Sequence, residues 1–483
     1  MLKRLNPKDT SGAAVNLTAQ IRDYSVYTPS MQINSAKRVR AKAEAWQDAP
    51  LPNGLTPKDF DYLRSDNRFW TYKYALASAE SFRSASGSNA VTAADSTTFI
   101  LGDSGGYQIG KGTFKGASDW KDYDSKRVQS AWLSADTRTE IIRWCESRCD
   151  YAMTIDIPLW VNRPNEKNSP FRRCSTEEII ALTVDNLKLL ATLRGRWTNG
   201  QHECKYLNVL QGETEQEEQL WFDAVSPFKF DGWSFAGSVG VDGGPYRILK
   251  RLLLLADKNL LDDGYNWLHL LKLSQPKWAP FVTAIQRAVR KNINPRFTVS
   301  YDSSTPYQQG GARESYYSAQ PFTSDPKTWV LSPHKMPSRF SEAVDPVPMA
   351  LTNKSCAGRN PCAMCRKHGS HIPAPMLSPL TANLTVQDLL EDKEKMAGRR
   401  SGPFFDEVLI NHNVFVITKA MIDANHAVFE TPENAPPQLV DACGEVERLF
   451  ENRRGWEGRL RKTLPLLESA VGYSKARPIA EAA

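Results

Sequence analysis

Carboxylates recur in this chain directly after short apolar runs. Asp103 follows Thr98-Phe99-Ile100-Leu101 in the segment Gly102-Asp103-Ser104-Gly105-Gly106-Tyr107-Gln108. Asp156 follows Tyr151-Ala152-Met153-Thr154-Ile155, and Asp302 follows Phe297-Thr298-Val299-Ser300-Tyr301. Gln211-Gly212 comes after Tyr206 to Leu210, and Ala236-Gly237 after Trp233-Ser234-Phe235. Glycines let a ligand approach the backbone closely. Carboxylates accept hydrogen bonds from ring N–H and exocyclic amino groups, a glutamine side chain or glycine N–H can donate to a carbonyl, and an aromatic ring stacks on a flat face. The set suits a planar heterocycle such as a guanine-like base, with a further carboxylate free to attack an anomeric carbon as in retaining glycosyl transfer. Taken singly, each of these residues also reads as a turn or strand-end group capping backbone amides.

Such residues need a scaffold that brings strand ends together. The apolar runs above, with Trp267 through Leu273, give six strand candidates. Between them lie helical patterns. Ser175 with Glu178 forms a capping signature ahead of Ile179 to Leu193, and further helices are expected over Pro245 to Leu261 and Trp278 to Lys291. Strands alternating with helices imply parallel βα units, in a (β/α)8 TIM barrel or a doubly wound sheet. Candidate residues at the C-terminal ends of several different strands favour the barrel. No fixed-period repeat suggests a solenoid or propeller.

Residues 1–338 are expected to form the main part of the barrel. Residues 339–375 break the pattern, being rich in Pro, Ser, Asn, Cys and His, and read as an insertion. Helical character returns at Val386 to Met396 and at Met421 to Val428, so 339–430 is read as a subdomain plus the last barrel helix. Residues 431–483 form a helical extension carrying Arg453, Arg454, Arg459, Arg461 and Lys462, a solvated face or a phosphate-binding patch.

The composition, 41% hydrophobic and 24% charged over 483 residues, is that of an ordinary globular protein with a sizeable core. A net charge of +7 permits a polyanionic partner without demanding one. The N-terminus lacks the apolar stretch of a secretory signal and no run approaches a membrane span, so a cytoplasmic protein is expected. Five of the eight cysteines are scattered, whereas Cys356, Cys362 and Cys365 cluster, which in a reducing compartment suggests a metal.

The strings DSGGYQ at 103–108, MTIDIP at 153–158, LQG at 210–212, FDGWSFAG at 230–237 and YDSSTP at 301–306 resemble, in order and spacing, the signature segments of the tRNA-guanine transglycosylases. The likeness spans roughly Tyr24 to Asn413. It implies a (β/α)8 barrel that exchanges a base in a nucleic acid, with Asp302 as nucleophile and Asp103 as general acid/base. Asp156, Gln211 and Gly237 would recognise the base and Tyr107 would stack on it. Ser238 would line the pocket for the 7-substituent, and Lys272 falls at or beside the position where relatives hold an apolar residue against the base. The resemblance also implies a structural zinc held by Cys356, Cys362, Cys365 and His412, the last in INHNVFVI at 410–417. The first two cysteines are separated by five residues where relatives have one, and His368 and His371 compete as fourth ligand.

Relatives that act on tRNA carry Pro-Thr-Arg-x-Gly just after the nucleophile. Here the stretch reads Thr305-Pro306-Tyr307-Gln308-Gln309-Gly310-Gly311, with no arginine before Arg313. With the irregular cysteine spacing and extra length, this makes the chain resemble the DNA-guanine transglycosylases of phages and bacterial DNA-modification clusters. The partners implied are DNA and a free 7-deazaguanine such as preQ0, in a bacterial or phage-infected cytoplasm. The alternatives are a tRNA enzyme, a non-catalytic zinc-stabilised subunit, or a sugar-hydrolase barrel. Retention of all three aspartates opposes the second, and the cysteine cluster is unexplained by the third.

Overall fold

In a computed structural model, eight parallel strands close into a barrel: β1 (Val26–Met31), β2 (Tyr74–Ser78), β3 (Phe99–Asp103), β4 (Tyr151–Met153), β5 (Lys205–Leu210), β6 (Gly232–Phe235), β7 (Trp267–Leu270) and β8 (Thr298–Ser303). Neighbours pair in chain order, and β8 closes on β1 with Asp302 opposite Thr28. The structure describes residues 14–41, 46, 51–83, 85, 87–117, 119–198, 203–237, 244–318, 321–336, 378–384, 388–389 and 402–472. Closure settles the choice between barrel and open sheet. The insertion at 339–375 lies outside the described residues, as does Val386 to Met396 apart from Asp388 and Leu389.

The principal helices are α1 (Gly106–Lys111), α2 (Ser125–Ser134), α3 (Thr137–Arg148), α4 (Thr176–Leu193), α5 (Glu215–Val225), α6 (Gly244–Asp257), α7 (Trp278–Asn292), α8 (Pro403–Phe429), α9 (Pro437–Glu451) and α10 (Trp456–Ala470). The expected capping signature holds: Ser175 Oγ accepts from Glu178 N at 3.2 Å, and Ser175 N donates to Glu178 Oε2 at 2.7 Å. Two strands escape the sequence pattern for local reasons. β1 contains Pro29, which argues against a central strand, and β2 reads Tyr-Ala-Leu-Ala-Ser, poor in the β-branched residues that mark strands. β7 stops at Leu270 instead of Leu273 because Lys272 has φ +66° and turns the chain away.

Strand alternation divides the apolar residues into two sets. Leu76, Leu101, Met153, Leu207, Val209 and Trp267 pack with one another inside the barrel, and Trp267 stacks on Phe99 at 4.7 Å. Their sequence neighbours, such as Ala75, Ile100, Ala152 and Tyr206, join the larger core beneath the helices. α8 is the most deeply set of these, packing against β1, α7 and the turn after β8. Among the described residues no helix is long and apolar enough to cross a membrane.

Gly232 shows how tightly strands and interior are fitted, since a Cβ there would lie 2.0 Å from the Trp267 carbonyl oxygen and 2.8 Å from Leu207 Cδ2. Gly232→Ala should therefore destabilise the protein by about 2–3 kcal/mol through overpacking. Gly458 in α10 has open space at its Cβ. Gly458→Ala should stabilise by roughly 0.5–1 kcal/mol through helix propensity. Urea unfolding of both variants tests the pair, and equal midpoints would contradict the packing described.

Candidate active site

Parallel strands in a barrel deliver all their C-terminal ends to one rim, and the candidate residues gather there. Asp302, the penultimate residue of β8, is only 5% exposed. Its Oδ1 accepts from the backbone N–H of Lys272 at 3.0 Å and lies 3.4 Å from His269 Nε2. Oδ2 receives no hydrogen bond from any described residue. The positive φ of Lys272 aims its amide at Asp302, so Lys272 serves the site through its backbone, while Leu271 packs with the barrel interior.

Asp103 ends β3 on the same rim, and the turn after it is shaped to hold it. Gly105 adopts φ +87° and donates its N–H to Asp103 Oδ1 at 3.2 Å; a side chain at Gly105 would also strike Glu80 Cβ at 2.5 Å. Burial pushes the Asp103 carboxyl above the usual carboxylate range. The Gly105 N–H opposes this, and the nearby Asp302 charge adds to it.

Asp156, just beyond β4, is 7% exposed. It accepts a hydrogen bond from the Gln211 amide, and Ser104 Oγ lies 3.4 Å from its other oxygen. Burial, reinforced by the charge on Asp103, raises its pKa to about 7. The Gln211 carbonyl accepts from Leu159 N at 3.0 Å, so the amide is oriented with its NH2 toward Asp156. Gly237 lies exposed beyond β6 at φ +81°, beside Gly212. Arg251 of α6, not singled out in the sequence, ties these two turns together. Its guanidinium donates to Gly212 O at 3.0 Å, Ala236 O at 3.2 Å and Glu218 Oε1 at 2.9 Å.

Tyr107, on the first turn of α1, is 56% exposed, an unusual state for a tyrosine beside a cluster of acids. Trp160 lies 5.9 Å from it and Lys111 sits over both rings. A flat ligand at the rim would find a stacking surface here. Thr305 to Ala312, just after β8, is largely part of the scaffold. Tyr307 is 1% exposed with its hydroxyl 3.2 Å from that of Tyr62, and a Cβ on Gly310 would lie 2.6 Å from Ile410 N of α8.

His412 lies fully buried in α8. Its Nε2 sits 2.7 Å from the Tyr317 carbonyl oxygen, which can only accept, so Nε2 carries the proton and Nδ1 presents a lone pair with no hydrogen-bond partner among the described residues. Burial lowers its pKa to about 4, leaving it neutral at pH 7. A neutral imidazole with one nitrogen held by a carbonyl and the other bare is the form in which histidine ligates a metal. Cys356, Cys362, Cys365, His368 and His371 lie outside the described residues, as does Ser238.

The raised pKa of Asp156 has a signed consequence for stability. An unfolded aspartate titrates near 3.9, so between that value and about 7 the folded chain binds more protons than the unfolded one. Stability from this group is complete below the unfolded pKa and is lost as pH rises through about 7. Asp156→Asn should remove that part of the slope, gaining on the parent protein from pH 4 to pH 8 in urea midpoint. Parallel profiles would show that Asp156 titrates as an ordinary carboxylate.

Compared with models of known protein families and with curated proteins, the chain matches none.

Proposed function

We propose that this protein is a base-exchanging transglycosylase that replaces a guanine in DNA with a 7-deazaguanine through an ester between Asp302 and the sugar. One observation carries the reading. Asp302, Asp103 and Asp156 come from three different strand ends to one rim, close enough that the charge of Asp302 raises Asp103 and that of Asp103 raises Asp156, and one oxygen of Asp302 accepts no hydrogen bond from the described residues.

In this reading the target guanosine leaves its stack and its base enters between Tyr107 and the acidic rim. Asp302 Oδ2 attacks C1′ as the C1′–N9 bond breaks. Asp103, whose raised pKa suits it to carry a proton, protonates N9 of the departing guanine. The incoming 7-deazaguanine then gives its N9 proton to Asp103 and attacks C1′. The ester bond breaks, Asp302 is regenerated, and two inversions restore the configuration. Asp156, oriented by Gln211, takes the exocyclic amino edge of the base. Thr305 to Ala312 carries no arginine and is packed under α8 at Tyr307 and Gly310, unlike the arginine loop of tRNA enzymes, which supports DNA as the polymer. The bare Nδ1 of His412 fits a structural zinc completed by Cys356, Cys362 and Cys365.

Asp302→Asn should abolish both guanine exchange and a denaturation-resistant protein–DNA adduct, an amide being a far poorer nucleophile. More than a few per cent residual exchange would move the role elsewhere. Offered preQ0 with equal amounts of guanine-containing DNA and unmodified tRNA, the enzyme should label the DNA; labelling of tRNA alone would overturn the polymer assignment and leave the chemistry intact. Cys362→Ser should lose about one zinc per chain along with thermal stability, since a closed structural site contributes folding energy. Zinc-free protein that melts unchanged would remove the metal.

A further inference from the structure

Inside the barrel, one layer below Asp302, an imidazole sits where an aliphatic side chain would be expected. His269 is fully buried on β7, two residues after Trp267 and therefore on the same interior face. A buried imidazole must satisfy both nitrogens or bear a desolvation cost. Nδ1 is 2.8 Å from Ser300 Oγ, on the adjacent strand and paired with His269 in register. Nε2 makes no hydrogen bond to a described residue, but it lies 3.4 Å from Asp302 Oδ1.

The direction of each hydrogen bond follows from its donors. The Trp267 indole can only donate, and its Nε1 reaches Ser300 Oγ at 2.7 Å. The serine oxygen thus accepts from Trp267, and since His269 Nδ1 is the one other hydrogen-bond partner of Ser300 Oγ among the described residues, the hydroxyl proton is directed to Nδ1. That leaves the imidazole proton on Nε2, facing the carboxylate. The opposite tautomer would place the Nε2 lone pair against Asp302 Oδ1 in the same buried space.

We infer that His269 is a positioning residue for Asp302, donating Nε2–H to Oδ1 with its tautomer set by Ser300 and Trp267, so that Oδ2 alone is presented for attack. This rests on the transglycosylase reading and adds a residue to it. Oδ1 then has two donors, the Lys272 amide and His269, which fix the carboxylate plane. The same two donors receive the negative charge that returns to Asp302 when the ester is displaced. The 3.4 Å separation is longer than an ideal hydrogen bond, and catalytic hydrogen bonds in free enzymes commonly shorten only once substrate is bound.

The test uses the full chain with His269→Leu, His269→Gln and Ser300→Ala, each checked by thermal melting. In single-turnover adduct formation on guanine-containing DNA, His269→Leu should be slower by about tenfold to a hundredfold, the loss expected for one hydrogen bond to a charged group. KM for the free base should be unchanged. His269→Gln, which keeps an N–H donor, should recover most of the rate even if the leucine variant fails to fold. Nitrogen NMR of histidine-labelled protein should show Nε2–H at His269, and Ser300→Ala should mix the tautomers. A folded His269→Leu with the parental rate, a folded His269→Gln slowed tenfold or more, or an Nδ1–H signal would each overturn the inference. Absence of any adduct with the parent protein would sink the transglycosylase reading instead, while the NMR measurement would still decide the His269–Asp302 contact.

Discussion

Three carboxylates crowded at the mouth of a closed barrel repel one another and lose their water, and much of the rim is arranged to tolerate this. Burial raises the proton affinity of Asp103 and Asp156, so both hold a proton to higher pH than an ordinary carboxyl. Directed donors stabilise the charge that remains. The Lys272 amide faces Asp302, the Gly105 amide faces Asp103, and the Gln211 amide faces Asp156. Each donor depends on an unusual piece of backbone or a doubly anchored side chain. Two of the amides come from residues with positive φ, and Gln211 is fixed by Leu159 at its other end.

Rigidity at the rim has the same origin. Arg251 joins the turns after β5 and β6, and its burial beside Glu218 means that removing either partner would leave an uncompensated charge. The segment after β8 is wedged beneath α8 by Tyr307 and Gly310, so the helix that carries His412 also braces the turn leaving the Asp302 strand. A structural metal at His412 would thus act on the site through α8, at a distance from the chemistry. In contrast, the exposed Tyr107 offers an aromatic face at the rim, beside Trp160 and Lys111. Under the proposed reading, this division would hold reacting groups still and yet admit a base from outside.

Much of this was legible in the amino-acid order. A parallel barrel repeats one local unit, so the alternation of apolar runs and amphipathic helices exposes most of its strands, and residues immediately after a strand must lie on the rim whatever the details of packing. That is why Asp103, Asp156, Gln211, Gly237 and Asp302 could be placed together without coordinates. The capping box at Ser175 and Glu178 is equally local, since donor and acceptor lie within one turn of helix. β1 and β2 were hidden because a proline in one and a lack of β-branched residues in the other weaken their local signal, and long-range pairing in the barrel overrides it.

What only the tertiary structure decided is which side chain meets which. The contact of His269 with Ser300 and Asp302 joins two strands some 30 residues apart through interior faces, and no periodicity distinguishes a histidine there from one in an ordinary core. The same holds for Arg251 and for the bare nitrogen of His412, whose meaning depends on a carbonyl 95 residues away. Thr305 to Ala312 lacks the arginine of a basic loop in its sequence, but only its neighbours in space show that Tyr307 and Gly310 are packed under α8. Composition and spacing constrain what a residue can do and at which end of a strand it stands. Hydrogen-bond direction, the shift of a carboxyl by its neighbours, and the freedom of one oxygen of Asp302 arise only when distant strands close on one another, because each depends on separations of a few ångströms that chain order does not encode.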